Sequence, residues 1–166
     1  LTEIRPWQSN SVVSDLFLWR VDKIWDTEFK LFNISSYIFP DEKIHEDCEI
    51  LIFNSYGELI EEKLVTLKPM EMKNIKKSNF ISFGAYGSFS IFHYSNKLNE
   101  FALKNSHVTE RGYVGYLNKK DDIRSYCHGN LQSLSKIKGG KFKSIVNVKK
   151  SENYYPQLIL SDCSDI

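Results

Sequence analysis

The chain has 166 residues, 42% of them apolar and 14% aromatic, with 22 basic and 21 acidic side chains and a formal net charge of +1. That much apolar and aromatic material supports one core of ordinary size and argues against a disordered polyelectrolyte, while no stretch approaches the roughly 20 apolar residues of a membrane-spanning helix. The near-neutral total conceals a gradient, because residues 1–62 carry five basic against thirteen acidic groups and residues 63–166 carry seventeen against eight.

The chain opens at Leu1 rather than Met, as expected of a trimmed, processed or incomplete chain. In the first segment Val12, Val13, Leu16 and Phe17 have the i, i+3, i+4 spacing of a short helix. Residues 27–34 then alternate, Phe29 and Leu31 against Glu28 and Lys30, as a half-buried strand requires. Asn33-Ile34-Ser35 matches a glycosylation acceptor pattern but falls at the end of that strand and carries no weight. Cys48, Ile50 and Ile52 share one strand face and Leu51 and Phe53 the other, so residues 48–53 read as a central strand. Asn54-Ser55-Tyr56-Gly57 supplies a turn, residues 59–67 return, and Pro69 ends the hairpin because it has no N–H to donate.

Further strands are expected over residues 88–94, 112–117, 123–128, 141–148 and 157–160, with Gly139-Gly140 as a turn. Leu98, Phe101 and Ala102 allow a second short helix. Many short strands, little helix and no strand-helix alternation predict an all-β fold, an antiparallel two-sheet β-sandwich or jelly roll with one or two short helical segments. No linker divides the chain, so residues 1–166 are expected to form one domain.

The three cysteines, Cys48, Cys127 and Cys163, are far apart in sequence and form none of the close pairs of metal ribbons or redox motifs. They read as free buried thiols, which favours a reducing, cytoplasmic setting.

The candidate site lies between Gly84 and Asn130, where His93, His107 and His128 fall among strands rich in Tyr and Gly. Glycines beside rings leave room for a ligand, and Tyr94, Arg111, Tyr113, His128 and Asn130 form the expected set for a small polar ligand or a partner protein. The leading expectation is therefore a non-catalytic ligand-binding or protein-interaction module without a cofactor. The alternative is a cupin-like metal-dependent enzyme holding a single zinc or iron through His93, His107, Glu110 and His128. No His-x-His pair supports it, and His93 continues the face of Phe89 and Ile91, as a core histidine would. Cys127, His128 and Asn130 are residue types of a cysteine nucleophile's site, but neighbouring strand residues face opposite ways, which keeps the thiol from using His128 as its base. Glu110 with Asp121 or Asp122 could in principle supply paired carboxylates.

The glycine-rich pairs 84–87 and 112–115 lack the lysine and the strand-to-helix setting of phosphate loops. Residues 123–151 hold seven Lys or Arg and no Asp or Glu. Rings among the lysines of 136–150 give a second alternative, a nucleic-acid surface, which the pI near 7.8 disfavours.

Overall fold

The computed structural model describes residues 11–76, 86–98, 112–128 and 130–131. They build two antiparallel sheets. One contains β1 (Ser11–Arg20), β3 (Glu46–Asn54), β4 (Leu59–Leu67), β6 (Tyr86–Tyr94) and β9 (Asn130–Leu131), in the order β4-β3-β6-β1-β9. The other contains β2 (Trp25–Phe32), β5 (Met72–Ile75), β7 (Gly112–Asn118) and β8 (Ile123–His128), in the order β5-β2-β7-β8. Among the described strands the chain changes sheet at almost every connection, and only β3-β4 and β7-β8 are hairpins of strands adjacent in both sequence and sheet. This is the expected all-β two-sheet sandwich. Residues 132–166, including the expected strands over 141–148 and 157–160, lie outside the described residues.

The core follows from strand parity. Phe17, Trp19, Cys48, Ile50, Ile52, Phe89 and Ile91 of the five-stranded sheet meet Phe29, Leu31, Ile75 and Val114 of the four-stranded one. Phe17, Phe29 and Phe89 pack with ring centroids 4.9 to 5.4 Å apart, joining the sheets across the centre. Two hydroxyls tie the layers at their edges. Tyr116 donates to the Leu18 carbonyl at 2.9 Å, and Thr27 Oγ1 donates to the Arg20 carbonyl at 2.7 Å.

β3 is central, as its sequence implies, lying between β4 and β6. Its other face buries Leu51 and Phe53 beside Phe92. The predicted turn is present: Asn54 Oδ1 accepts from the Tyr56 and Glu58 N–H groups at 2.9 and 3.0 Å, and Gly57 takes φ +80°. At Gly87 the requirement is space, since a Cβ there would lie 2.1 Å from the Phe53 carbonyl oxygen and 2.7 Å from Trp19 Nε1. The bare backbone lets the Trp19 indole cross β6 and donate to that carbonyl at 2.9 Å.

Several local readings need correction. Residues 12–17, expected to be helical, belong to β1, because β6 offers a full antiparallel partner and Phe17 and Trp19 alternate inward with Leu18 and Arg20 less buried. The strand expected over 27–34 runs from Trp25 to Phe32, and Asn33 starts α1 (Ile34–Ile38) instead of extending it. Asn33 Oδ1 accepts from the Ser36 N–H at 2.8 Å, the standard N-cap bond, and its Nδ2 donates to the Ile44 and Lys68 carbonyls. β5, too short to show a period, was not anticipated. Residues 96–98 are helical, where the second helix was expected to begin.

Candidate functional site

Two polar constellations stand out among the described residues. The first is buried at the end of the sandwich core. Glu46 and Cys48 are two apart on β3 and so share its inward face, and His93 on β6 is the register partner of Cys48. His93 Nδ1 lies 2.7 Å from Glu46 Oε1 and 3.4 Å from Cys48 Sγ, which is itself 3.8 Å from Glu46 Oε1. All three side chains are at most 1% exposed.

A buried carboxylate needs donors, and this one has five. Oε1 faces the Ile34 N–H at 3.3 Å besides His93 and Cys48, while Oε2 accepts from the Ser35 N–H at 2.8 Å and from the Ser35 hydroxyl at 2.5 Å. Glu46 thereby satisfies two N-terminal N–H groups of α1 that the helix itself cannot. Burial pushes the Glu46 pKa up, but the His93 hydrogen bond and charge and the Ser35 donors outweigh it and hold the group below the usual carboxylate range. An ionised Glu46 only accepts, so the shared proton resides on His93 Nδ1. Burial, then the adjacent Glu46 carboxylate, drives the Cys48 thiol far above its ordinary pKa. The thiol therefore stays protonated here and is no nucleophile in this state.

The second constellation is on the outer face of the four-stranded sheet. Glu28, Gly115 and Tyr126 are aligned across β2, β7 and β8, with Lys30 opposite Tyr113 and Asn74 beside Lys30 on β5. Glu28 Oε1 accepts from the Tyr126 hydroxyl at 2.5 Å and from Arg124 Nη1 at 3.2 Å, and Oε2 accepts from Asn74 Nδ2 at 3.2 Å. Partial burial raises the Glu28 pKa, but hydrogen bonds from Tyr126 and Asn74 and the charges of Arg124 and Lys30 bring it below the ordinary value. Gly115 makes this possible: a Cβ there would stand 2.7 Å from Tyr126 Cε1, so the ring lies across the bare backbone toward Glu28. Lys30 Nζ sits 4.5 Å from the Tyr126 ring centroid, a cation–π arrangement.

The residues expected at a site are distributed as follows. Tyr113 and His128 are register partners in the four-stranded sheet, next to this second constellation. Tyr94 belongs to the five-stranded sheet, where its hydroxyl donates to Glu49 at 2.5 Å, and Asn130 pairs with Leu16 in that same sheet. His93 is the core histidine its parity suggests, in a different sheet from His128. His107, Glu110 and Arg111 lie outside the described residues, as does the basic stretch 136–150. Cys127, expected to be buried, is an exposed free thiol, while Cys48 is buried as expected.

Glu46 and Cys48 are not evident from sequence as polar partners, because the apolar alternation that marks the strand begins only at residue 48. The usable signal was Glu46 itself, in parity with Cys48, Ile50 and Ile52: a carboxylate on the core face of a central strand demands buried donors. Comparison with protein-family models, curated proteins and solved structures found no match. No helix among the described residues is long and apolar enough to cross a membrane.

Proposed function

We propose that this chain is a non-catalytic binding module whose contact surface is the outer face of the four-stranded sheet, and that it takes a small polar ligand bearing an acidic group. One observation carries the reading: Asn74, Lys30, Arg124 and Tyr126, from three strands, gather around Glu28 over the bare backbone of Gly115. Sheet strands hold these groups in fixed relative positions, which lowers the ordering cost of binding. Lys30 and Arg124 exceed Glu28 in charge, Arg124 retains half its surface with 48% side-chain exposure, and Tyr126 offers an exposed ring edge. An incoming carboxylate can share the guanidinium with Glu28 while neighbouring hydroxyls or amides meet Tyr126 and Asn74. Tyr113, one of the residues expected on sequence, is the register partner of Lys30 and supports the choice of this face.

Catalysis is not part of the proposal, because the buried Cys48 thiol is held protonated and His93 is committed to Glu46. The exposed free thiol of Cys127 fits a reducing setting such as the cytoplasm.

The test is equilibrium binding of a defined panel of uronic acids, short hydroxy acids and acidic dipeptides to wild type, Arg124→Ala and Tyr126→Ala. The proposal expects at least one probe to bind wild type with affinity that falls as salt rises, and both variants to lose most of it. Absence of binding across the panel, or affinity indifferent to both substitutions, would overturn it.

A further inference from the structure

We propose that Glu46, Cys48 and His93 form a metal site for one zinc ion, buried between the sheets and separate from the binding face. The donor set is one carboxylate oxygen, one imidazole nitrogen and one sulfur, the ligand types that zinc accepts in structural and catalytic centres. Their spacing is the decisive observation. Cys48 Sγ stands 3.4 Å from His93 Nδ1 and 3.8 Å from Glu46 Oε1, about the separation of two ligands on one tetrahedral zinc, while the 2.7 Å between His93 and Glu46 is a hydrogen bond that must open by about 0.6 Å when the ion replaces its proton. The strands thus bring all three ligand atoms within 4.8 Å of one another, and only the His93–Glu46 pair has to part for the ion to enter.

Topology explains the convergence. The Glu-x-Cys spacing presents two ligands on one face of β3, and antiparallel register sets His93 of β6 directly beside Cys48. Ser35 completes the support, since its N–H and hydroxyl hold Glu46 Oε2 and so orient Oε1. With Oε2 held by Ser35, a water molecule would fill the fourth position of a tetrahedron.

Charge also balances. Zinc entry displaces the Cys48 thiol proton to solvent and leaves His93 with its ring proton on Nε2, freeing Nδ1 as a ligand. The ion's two positive charges then meet one thiolate and one carboxylate, so the buried unit carries no net charge, as a dry interior favours. Near-total burial leaves no approach for a substrate, which makes the role structural: the ion would lock β3, β6 and the start of α1 together.

The experiment uses the full chain, purified without a metal-affinity tag, unfolded with a chelator and refolded with zinc or cobalt(II). The proposal expects one metal per chain after gel filtration, a rise in Tm, and with cobalt a near-ultraviolet sulfur-to-metal band accompanied by tetrahedral visible bands. Cys48→Ser should abolish the sulfur band, Cys127→Ser should keep it, and Ser35→Ala should weaken affinity about tenfold or more. A wild type that takes up no stoichiometric metal, or a sulfur band that survives in Cys48→Ser, would overturn the proposal. Should Cys48→Ser fail to fold, X-ray absorption of zinc-loaded wild type decides instead: one sulfur among oxygen and nitrogen neighbours supports the site, and a shell without sulfur refutes it.

Discussion

Replacing Glu46 by Gln keeps the shape of the side chain while removing its charge and turning one acceptor oxygen into a donor NH2, so it probes what the buried carboxylate contributes. Five donors converge on Glu46, from Ile34, Ser35 twice, Cys48 and His93. A carboxamide has one acceptor oxygen and one donor NH2. Whichever way it is turned, its NH2 confronts either the two Ser35 donors or the Ile34, Cys48 and His93 group. His93 can shift its proton to Nε2 and accept from the new amide, recovering part of the loss. With hydrogen bonds to a charged group worth about 1.5–3 kcal/mol each and a buried donor left unsatisfied costing about 1–3 kcal/mol, we expect Glu46→Gln to lose about 3–5 kcal/mol. Against a typical stability of about 5–15 kcal/mol that is a large fraction, visible as a clear drop in the urea midpoint. The assay is metal-free urea unfolding followed by tryptophan fluorescence, with Trp19, 1% exposed, as a core reporter. A cycle with His93→Gln adds the coupling, expected to be non-additive by about 1 kcal/mol or more. A loss below about 1 kcal/mol, or a cycle that is additive within about 0.3 kcal/mol, would refute the claim that this network binds β3, β6 and α1 together.

Other consequences are equally direct. Gly87→Ala sets a methyl group against the Phe53 carbonyl and the Trp19 indole; we expect destabilisation of about 2 kcal/mol or more with a shifted Trp19 emission, and a change under about 0.5 kcal/mol would contradict the packing. Asp22 is held near a pKa of about 2 against an ordinary 3.8, because backbone N–H groups of Trp25 and Ile24 and the Arg20 guanidinium outweigh its desolvation. Its contribution is therefore complete above the ordinary value and lost as pH falls from about 4 to about 2, so Asp22→Asn should flatten the acid limb of a stability profile over that interval. Thiol-directed alkylation of native protein, mapped by peptide mass, should modify Cys127 and spare Cys48 until urea unfolds the chain; early labelling of Cys48 would contradict its burial.

The fold was legible where two faces of one strand differ and where turn chemistry punctuates them. Residues 48–53, followed by Asn54 to Gly57 and the return over 59–67, specify a hairpin by period and by the Gly57 conformation. It was illegible where neighbouring structure decides. Val12 to Phe17 fit either period, and β6 chooses the strand; Asn33 reads as strand until its side chain is seen capping α1. The site was legible in part. Parity marked His93 as a core residue and put Glu28 and Lys30 on the outer face, but the partners that give those residues meaning, Glu46 for His93 and Tyr126 and Arg124 for Glu28, come from 47, 98 and 96 positions away. Local pattern carries no information about such pairs, which depend on sheet order. The exposure of Cys127 depends on sheet order in the same way, since β8 is the outermost strand of its sheet among the described residues.

The claim that the outer face of the four-stranded sheet binds an acidic ligand is tested most directly by an amide chemical-shift map during titration with the tightest-binding acid of the panel. The account predicts saturable shifts concentrated at Lys30, Asn74, Tyr113, Gly115, Arg124 and Tyr126, with the core strands β3 and β6 unmoved. Saturable shifts centred on the five-stranded sheet, with Gly115 and Tyr126 unchanged, would contradict it.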